Sequence, residues 1–465
     1  MTHTGLALSH HALDPLRNQM RGPVLEPGAP DWDRARTIWN AAYEREPVAI
    51  ARCMGAADVQ AAVRFVAEGG HPFAVRSGGH DFAGNSLPDG GLMIDLSLMK
   101  GIRVDSQGRR ARVEPGVVWG EFDHEAQAFG LATTGGTVSS VGVAGYSLGG
   151  GTGHLARSRG LSVDNLTSLD VVTAEGDLVR ANEAEHPELF WALRGGGGNF
   201  GIVTSLEYRM HRVGPEILAG QIVHPFESAR DGLAFYQELM AGAPDELACY
   251  PFLMKAPTVE PFPEAHHGRT ILIFVVAWVG DLERGREVVK PILDFGTSLF
   301  GSVGAMPYVA AQTMFDVGMP KGTRRHSKAQ FFGEIDAAAI DTLLEWSEAL
   351  EGEATAAYFE PQGGAINRVD PQATAYPHRD KAFSFHLVAD WTDPARDEAM
   401  REWAREFHQA MARHATGGVY MNLMSHDEPD RIPDAYGANL SRLARTKAKW
   451  DPGNLFRRNH NIEPG

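Results

Sequence analysis

The sequence predicts an α+β chain in two unlike parts, and three observations carry that reading. Glycine is in excess, 52 of 465 residues or about 11% against a usual ~7%, and its clusters all fall before residue 205. A strand-like run, Phe73–Arg76, passes straight into Ser77-Gly78-Gly79-His80. After Val213-Gly214-Pro215 the glycines thin out, and aromatic strands alternate with amphipathic helices.

Taken in order, residues 31–43 follow the breakers Gly28 and Pro30 and carry Trp32, Ala35, Ile38 and Trp39 at helical spacing. Residues 47–52 read as a strand. Ala56–Gly69 reads as a helix with Val59, Ala62, Val63 and Val66 on one face. Leu92–Asp95 and residues 111–113 read as further strands. Beyond residue 213, strands are expected at 271–279, 356–359 and 382–389, and the clearest helices at 337–350 and 393–415. A turn, Asp451-Pro452-Gly453-Asn454, punctuates the last fifty residues.

Composition removes several function classes. The hydrophobic fraction is 43% and the charged fraction 22%, so most of the chain is expected to fold. A formal net charge of −16 argues against a nucleic-acid binder. No apolar run reaches the ~18 residues of a spanning helix, so no membrane partner is expected. Residues 1–19 lack the apolar core of a secretory signal, and with only Cys53 and Cys249 the expected compartment is the cytoplasm. The pairs His10-His11 and His266-His267 have no zinc-ligand spacing and no cysteine support, so no metal is expected. No Ser-His-Asp arrangement carrying a G-x-S-x-G elbow is read, so serine nucleophile chemistry is not expected.

A strand ending in Gly-Gly brings bare backbone N–H groups close to a phosphate, because glycine allows positive φ and close approach. Gly78-Gly79, the run around Gly135, Gly136, Gly142 and Gly145, and the run at Gly195 to Gly198 with Gly201 suit a long diphosphate cofactor touched by backbone along its length. A loop-rich β domain is the competing reading. The looser dinucleotide pattern Gly151, Gly153, Ala156 lacks a clear strand-turn-helix frame.

Five stretches in order carry a resemblance over nearly the whole chain. They are Arg76-Ser77-Gly78-Gly79-His80; the segment from Gly142 through Gly145, Tyr146 and Gly151 to Arg157; Gly160 to Leu166; Phe190 to Val203; and Tyr420-x-Asn422 with Trp450 to Ile462. Together they resemble the vanillyl-alcohol-oxidase superfamily, and more narrowly the berberine-bridge-enzyme-like oxidases. The resemblance implies a PCMH-type FAD-binding domain from residues 1–213, an inserted substrate domain at 214–414 (an antiparallel sheet backed by helices), and a segment, 415–465, that returns to the FAD domain.

It further implies FAD joined covalently through His80. The cofactor residues it marks are Arg76, Ser77, Gly78, Gly79, His80, Gly135, Gly136, Val141, Gly142, Gly145, Asn165, Gly201, Ile202, Val203, Tyr420, Asn422 and Asn459. The second, cysteinyl bond of many relatives falls at Val138, so a single attachment is expected. A small side chain at Val141 resembles the oxidases, which use dioxygen as acceptor.

On the substrate side the resemblance turns Thr152 and His154 toward the pocket, with Tyr146 nearby. Tyr358 and Glu360 lie two apart on one strand and share a face. Ser384 and His386 share a face of another, opposite Phe383, Phe385 and Leu387. Glu360 is the first candidate base and His386 the second, with Tyr358 and Tyr146 as orienting or proton-relaying phenols. Leu423 follows Asn422, where plant relatives often place a second tyrosine. The presence of Tyr146, and of Tyr358 with Glu360, resembles instead the bacterial secondary-metabolism branch, which includes the enterocin-type polyketide flavoenzyme. The expected activity is two-electron oxidation of a small organic molecule, an alcohol or activated C–H, with hydride passing to the flavin and dioxygen reoxidising it. An oxygen-insensitive dehydrogenase, a carbohydrate oxidase and a flavin-retaining binding protein are the competing readings. The sequence names neither substrate nor oligomeric state.

Overall fold

Short apolar runs separated by glycine turns pair into two sheets in the first 210 residues. The computed structural model describes residues 10–465; residues 1–9 of the N-terminal segment, and the side chains of His10 and His11, lie outside this description. Four strands align in the order Val24–Leu25, Ala49–Arg52, Leu92–Asp95, Phe73–Arg76, the last three mutually parallel. Helix Ala56–Gly69 makes the crossover, buries Val59, Val63 and Val66, and stops at Gly70, whose φ of 62° suits glycine. Five antiparallel strands form the second sheet, in the order Ile102–Asp105, Arg110–Val113, Ile202–Arg209, Leu166–Val172, Leu178–Ala181.

From Glu216 onward the chain builds one seven-stranded antiparallel sheet. Its order is Phe300–Pro307, Glu216–Pro225, Thr270–Trp278, Leu247–Lys255, Ala356–Pro361, Phe383–Trp391, Arg324–Phe332. Helices Ala229–Ala241, Ala337–Ser347 and Asp397–Ala412 cover one face. There Phe385 and Leu387 pack with Leu233, Ile340 and Phe407; each such side chain gains ~1.5–3 kcal/mol from burial. Asp336 accepts the Ala339 N–H at 2.7 Å and so starts its helix one residue before Ala337. Period-two alternation sends Ser384, His386, Tyr358 and Glu360 to the other face, as their spacing predicts.

The last fifty residues pack back on the first half: Met421, Tyr436, Leu443 and Ile462 join a core with Trp119, Phe190 and Phe200. Buried Lys447 bridges Asp451 at 2.6 Å, the Asn199 carbonyl at 2.7 Å and the Phe456 carbonyl at 3.0 Å.

Two helices differ from expectation. The helix expected at 31–43 covers only Trp32–Arg36. Beyond it, Trp39 N–H donates to the Gly79 carbonyl at 2.9 Å and Ala41 N–H to the Thr323 carbonyl at 3.0 Å, so bonds to distant strands replace the helical ladder. The helix expected at 393–415 starts at Asp397, after a 3-10 turn at Pro394–Arg396.

Candidate active site

Strand Phe73–Arg76 delivers Ser77-Gly78-Gly79-His80 against the loop that enters helix Val143–Leu148. Gly78 and Gly142 meet backbone to backbone: a Cβ on Gly78 would lie 2.5 Å from Gly142 N and Cα, and one on Gly142 2.6 Å from Gly78 N. Their contact forms one wall of a cleft of about 280 Å³. A Cβ on Gly145 or Gly198 would meet no protein atom within 4 Å, so both leave bare backbone facing open space in the cleft. Ser86 Oγ and Asn459 Oδ1 line it and have no hydrogen-bond partner among the described residues. Bare backbone with unspent polar groups fits a long polar cofactor such as FAD.

Ser77, Gly78, Gly79, His80, Val141, Gly142, Gly145, Gly201, Ile202, Val203, Asn422 and Asn459 all line this cleft. Five residues expected with them do not. Arg76 turns away to the Ala35 carbonyl and toward Asp95, 3.9 Å distant, its register partner on the neighbouring strand. Gly135 gives room to Trp119, whose ring would lie 2.3 Å from a Cβ there. Asn165 braces the loop before it, donating to the carbonyls of Arg159 at 3.0 Å and Leu161 at 2.9 Å. Gly136 and Tyr420 line a second cavity instead.

That second cavity, about 150 Å³, lies between the glycine loops and the seven-stranded sheet. His80, Val141, Tyr146 and Asn422 belong to both. Its polar centre is Glu360. Thr152 Oγ1 donates to Glu360 Oε1 at 2.7 Å, and His386 Nε2 stands 3.6 Å from Oε2. His386 also meets Ser384 Oγ at 2.7 Å through Nε2 and the Tyr358 hydroxyl at 2.8 Å through Nδ1. Phe252 stacks on Tyr358 with ring centres 4.2 Å apart. Burial pushes the Glu360 carboxyl up to about 7 against the opposing Thr152 bond, and pushes the His386 imidazole down to about 3. Near neutral pH the pair is therefore an uncharged imidazole beside a carboxyl poised to exchange its proton.

The phenols are less free. Tyr146 donates to the Thr152 carbonyl at 2.7 Å and accepts the Thr152 N–H at 3.2 Å. Tyr420 accepts the Gly151 N–H at 3.0 Å and an Asn422 amide proton at 2.8 Å. Burial pushes both phenols well above their usual range, and their hydrogen bonds tie them to the glycine loop.

His154, expected in the pocket, lies behind it. Its Nδ1 meets the Tyr250 hydroxyl at 3.3 Å and its ring packs near Phe315, so it supports two wall residues without reaching the cavity. Trp39, Tyr250, Phe252 and Phe315 complete the walls although no motif marks them. The alternation of Tyr250 with Phe252 was the one local signal available for that strand.

His80 stands at the junction. Its Nε2 lies 3.0 Å from Ser140 Oγ, and its ring stacks on Trp39. Desolvation, then the charge of Arg325, push its imidazole down to about 3.

One other cluster could converge on a cation among the described residues: His326, His426 and Asp427. Lys328 and Arg405 each hold Asp427 at 2.9 Å and already neutralise it. No helix among the described residues is long and apolar enough to cross a membrane.

Comparison with known proteins agrees with this geometry. Residues 47–182 match the family described as FAD binding domain, and residues 419–463 the family described as berberine and berberine like. The chain is 30% identical over 458 residues to (R)-6-hydroxynicotine oxidase of Paenarthrobacter nicotinovorans, covering 96% of this chain and 97% of that one. It is 28% identical over 492 residues to chitooligosaccharide oxidase of Gibberella zeae, covering 100% and 97%. The crystal structure of 6-hydroxy-D-nicotine oxidase from Arthrobacter nicotinovorans superposes with a TM-score of 0.87 at 29% identity, over 97% of this chain and 99% of that one. The chain belongs to the FAD-linked oxidoreductases of the vanillyl-alcohol-oxidase/PCMH superfamily, in the berberine-bridge-enzyme-like branch.

Proposed function

We propose that this oxidase acts on a compact organic molecule that carries no negative charge, at an alcohol or activated C–H, with Glu360 as the base. The observation that carries the reading is the placement of Glu360. It is a buried carboxyl with a raised pKa in a cavity that shares the wall His80, Val141, Tyr146 and Asn422 with the cofactor cleft. FAD, when bound, supplies the two-electron acceptor. The chain's own residues do the rest. Thr152 aims Oε1 of Glu360. An uncharged His386 with its proton on Nε2 faces Ser384 and Glu360, while Tyr358 donates to Nδ1. Trp39, Phe252, Phe315 and Tyr358 exclude water around the carboxyl. No Lys or Arg side chain among the described residues lines the cavity, so an anionic substrate would meet Glu360 without a counter-charge.

The same reading includes FAD attached through His80 alone and dioxygen as acceptor. Val138 occupies the place of the second attachment, and Cys53 and Cys249 are both free and buried elsewhere. Two free thiols also support a cytoplasmic location. The short valine at the junction supports access of dioxygen. The division at residues 213 and 414 is part of the proposal, supported by the start of the seven-stranded sheet at Glu216 and the return of Met421 to the first core.

The test is anaerobic mixing with a panel of secondary alcohols, amines, simple sugars and carboxylates, followed by admission of air. A neutral or cationic compound should bleach the visible flavin absorbance, and air should restore it. Glu360→Gln should keep its flavin and bleach ~100-fold or more slowly. Bleaching of Glu360→Gln at the wild-type rate would overturn the base assignment, and bleaching by carboxylates alone the substrate class.

A further inference from the structure

Three side chains from separate parts of the chain form a stack at the junction of the two cavities. The His80 ring lies 3.9 Å from the Trp39 indole, centre to centre, with 22° between planes. The guanidinium carbon of Arg325 lies 3.9 Å from the centre of the same indole. Groups this close to one ring take its opposite faces. Arg325 is 1% exposed and pairs through Nε with Asp390 at 2.7 Å, while its Nη atoms have no hydrogen-bond acceptor among the described residues. Its cationic face is spent on the indole.

The backbone fixes the stack on every side. Trp39 N–H donates to the Gly79 carbonyl at 2.9 Å, beside His80, and Gly322 N–H donates to the Trp39 carbonyl at 3.1 Å. Trp39 Nε1 donates to the Met319 carbonyl at 3.1 Å. Asn40 donates to the carbonyls of Phe82 at 3.2 Å and Arg325 at 2.9 Å, and accepts the Arg325 N–H at 2.9 Å. A tryptophan that merely filled space would not require this framing. With the imidazole plane set by the indole and Nε2 set by Ser140, the other ring nitrogen of His80 has one orientation left.

We propose that Trp39, clamped from behind by Arg325, is the positioning residue that holds His80 for attachment of the flavin. The proposal rests on the His80 attachment put forward above. Attachment forms one bond between an imidazole nitrogen and the flavin 8α carbon and breaks one C–H bond at that carbon. The electron pair of the C–H bond stays on the flavin. The C–H and imidazole N–H protons pass to the reduced ring system or to solvent, and dioxygen then removes two electrons and two protons as hydrogen peroxide. The step needs an imidazole with a free electron pair, which burial and the nearby Arg325 charge secure. It also needs a fixed direction of approach, which the stack supplies.

The experiment is acid precipitation of the purified holoenzyme, with flavin measured by absorbance in pellet and supernatant. Wild-type flavin should stay in the pellet. Trp39→Leu should lower the pellet fraction ~10-fold while total flavin per folded protein holds, and Trp39→Phe should restore most of it. Arg325→Lys should exceed the paired variant Arg325→Met with Asp390→Asn, which removes the charge without leaving Asp390 unpaired. Wild-type flavin in the supernatant would overturn both the attachment and this proposal. Wild-type flavin in the pellet together with an unchanged Trp39→Leu would overturn this proposal alone. Should Trp39→Leu fail to fold, a wild-type pellet fraction in the Arg325/Asp390 variant decides against it.

Discussion

Thr152 Oγ1 donates a 2.7 Å hydrogen bond to Glu360 Oε1, joining the glycine-rich loop to the seven-stranded sheet at the polar centre of the cavity. The bond favours the ionised carboxylate and opposes the upward push of burial. Thr152→Val should therefore raise the Glu360 pKa above about 7, and the rising limb of the pH profile should move alkaline by up to about one unit. Thr152→Ser should bring it back. An unmoved limb in Thr152→Val would show that another group sets the profile.

The same shift makes Glu360 a stability liability at alkaline pH. Its folded pKa, about 7, lies above the ordinary 4.5. Below 4.5 the carboxyl is protonated in both states and costs nothing; as pH rises from there through 7, the unfolded chain gains from ionisation while the folded one resists it. Glu360→Gln should thus melt like wild type at pH 4 and higher than wild type above pH 7, by up to about 3 kcal/mol. Thermal melts across this range provide the check, and a gap that grows toward acid would refute the sign.

His386 is held uncharged, its pKa down to about 3, so it should add no limb near the ordinary histidine value. His386→Gln should lower turnover ~10-fold through loss of the Tyr358 and Ser384 bonds, with the Glu360 limb kept in place. A limb near 6.5 that disappears in His386→Gln would assign the proton transfer to the histidine instead.

Two glycines separate loop packing from cofactor space. Gly142→Ala forces a Cβ to 2.6 Å from Gly78 N and should destabilise the protein by ~1–3 kcal/mol or more, with flavin lost. Gly145→Ala meets no protein atom within 4 Å and should leave the melting temperature of flavin-free protein unchanged while lowering flavin content. Equal behaviour of the two variants would deny that the Gly145 side of the cleft faces the cofactor.

Local pattern revealed much of the frame. Helix Ala56–Gly69 and strands Phe73–Arg76 and Leu92–Asp95 are observed over the spans their periodicity indicates. Period-two alternation placed Tyr358 with Glu360, and Ser384 with His386, on the cavity face. Strand Arg324–Phe332 has no apolar alternation to mark it, because Arg324, Arg325, His326 and Lys328 are residue types that ordinarily face solvent. All four are buried, and each meets a carboxylate from distant sequence: Asp397, Asp390 and, for the last two, Asp427. Trp39 sits at helical spacing in the sequence, but bonds from Gly79 and Gly322, distant in sequence, hold it outside the helix. Arg76, Asn165 and His154 show the limit of motif transfer. Each belongs to a segment that builds the site, and each turns its side chain to support the wall from behind.

Val141 has a consequence for how such an enzyme can change. It lines both the cofactor cleft and the second cavity, the proposed substrate site. Lengthening it to leucine narrows both spaces, and shortening it to alanine widens both. With Val141 in its proposed role of admitting dioxygen, acceptor choice and substrate size become coupled traits at this position. On that proposal, a lineage that adapts to a bulkier substrate here alters its exposure to air in the same mutation, and must compensate elsewhere in the wall to recover one without the other.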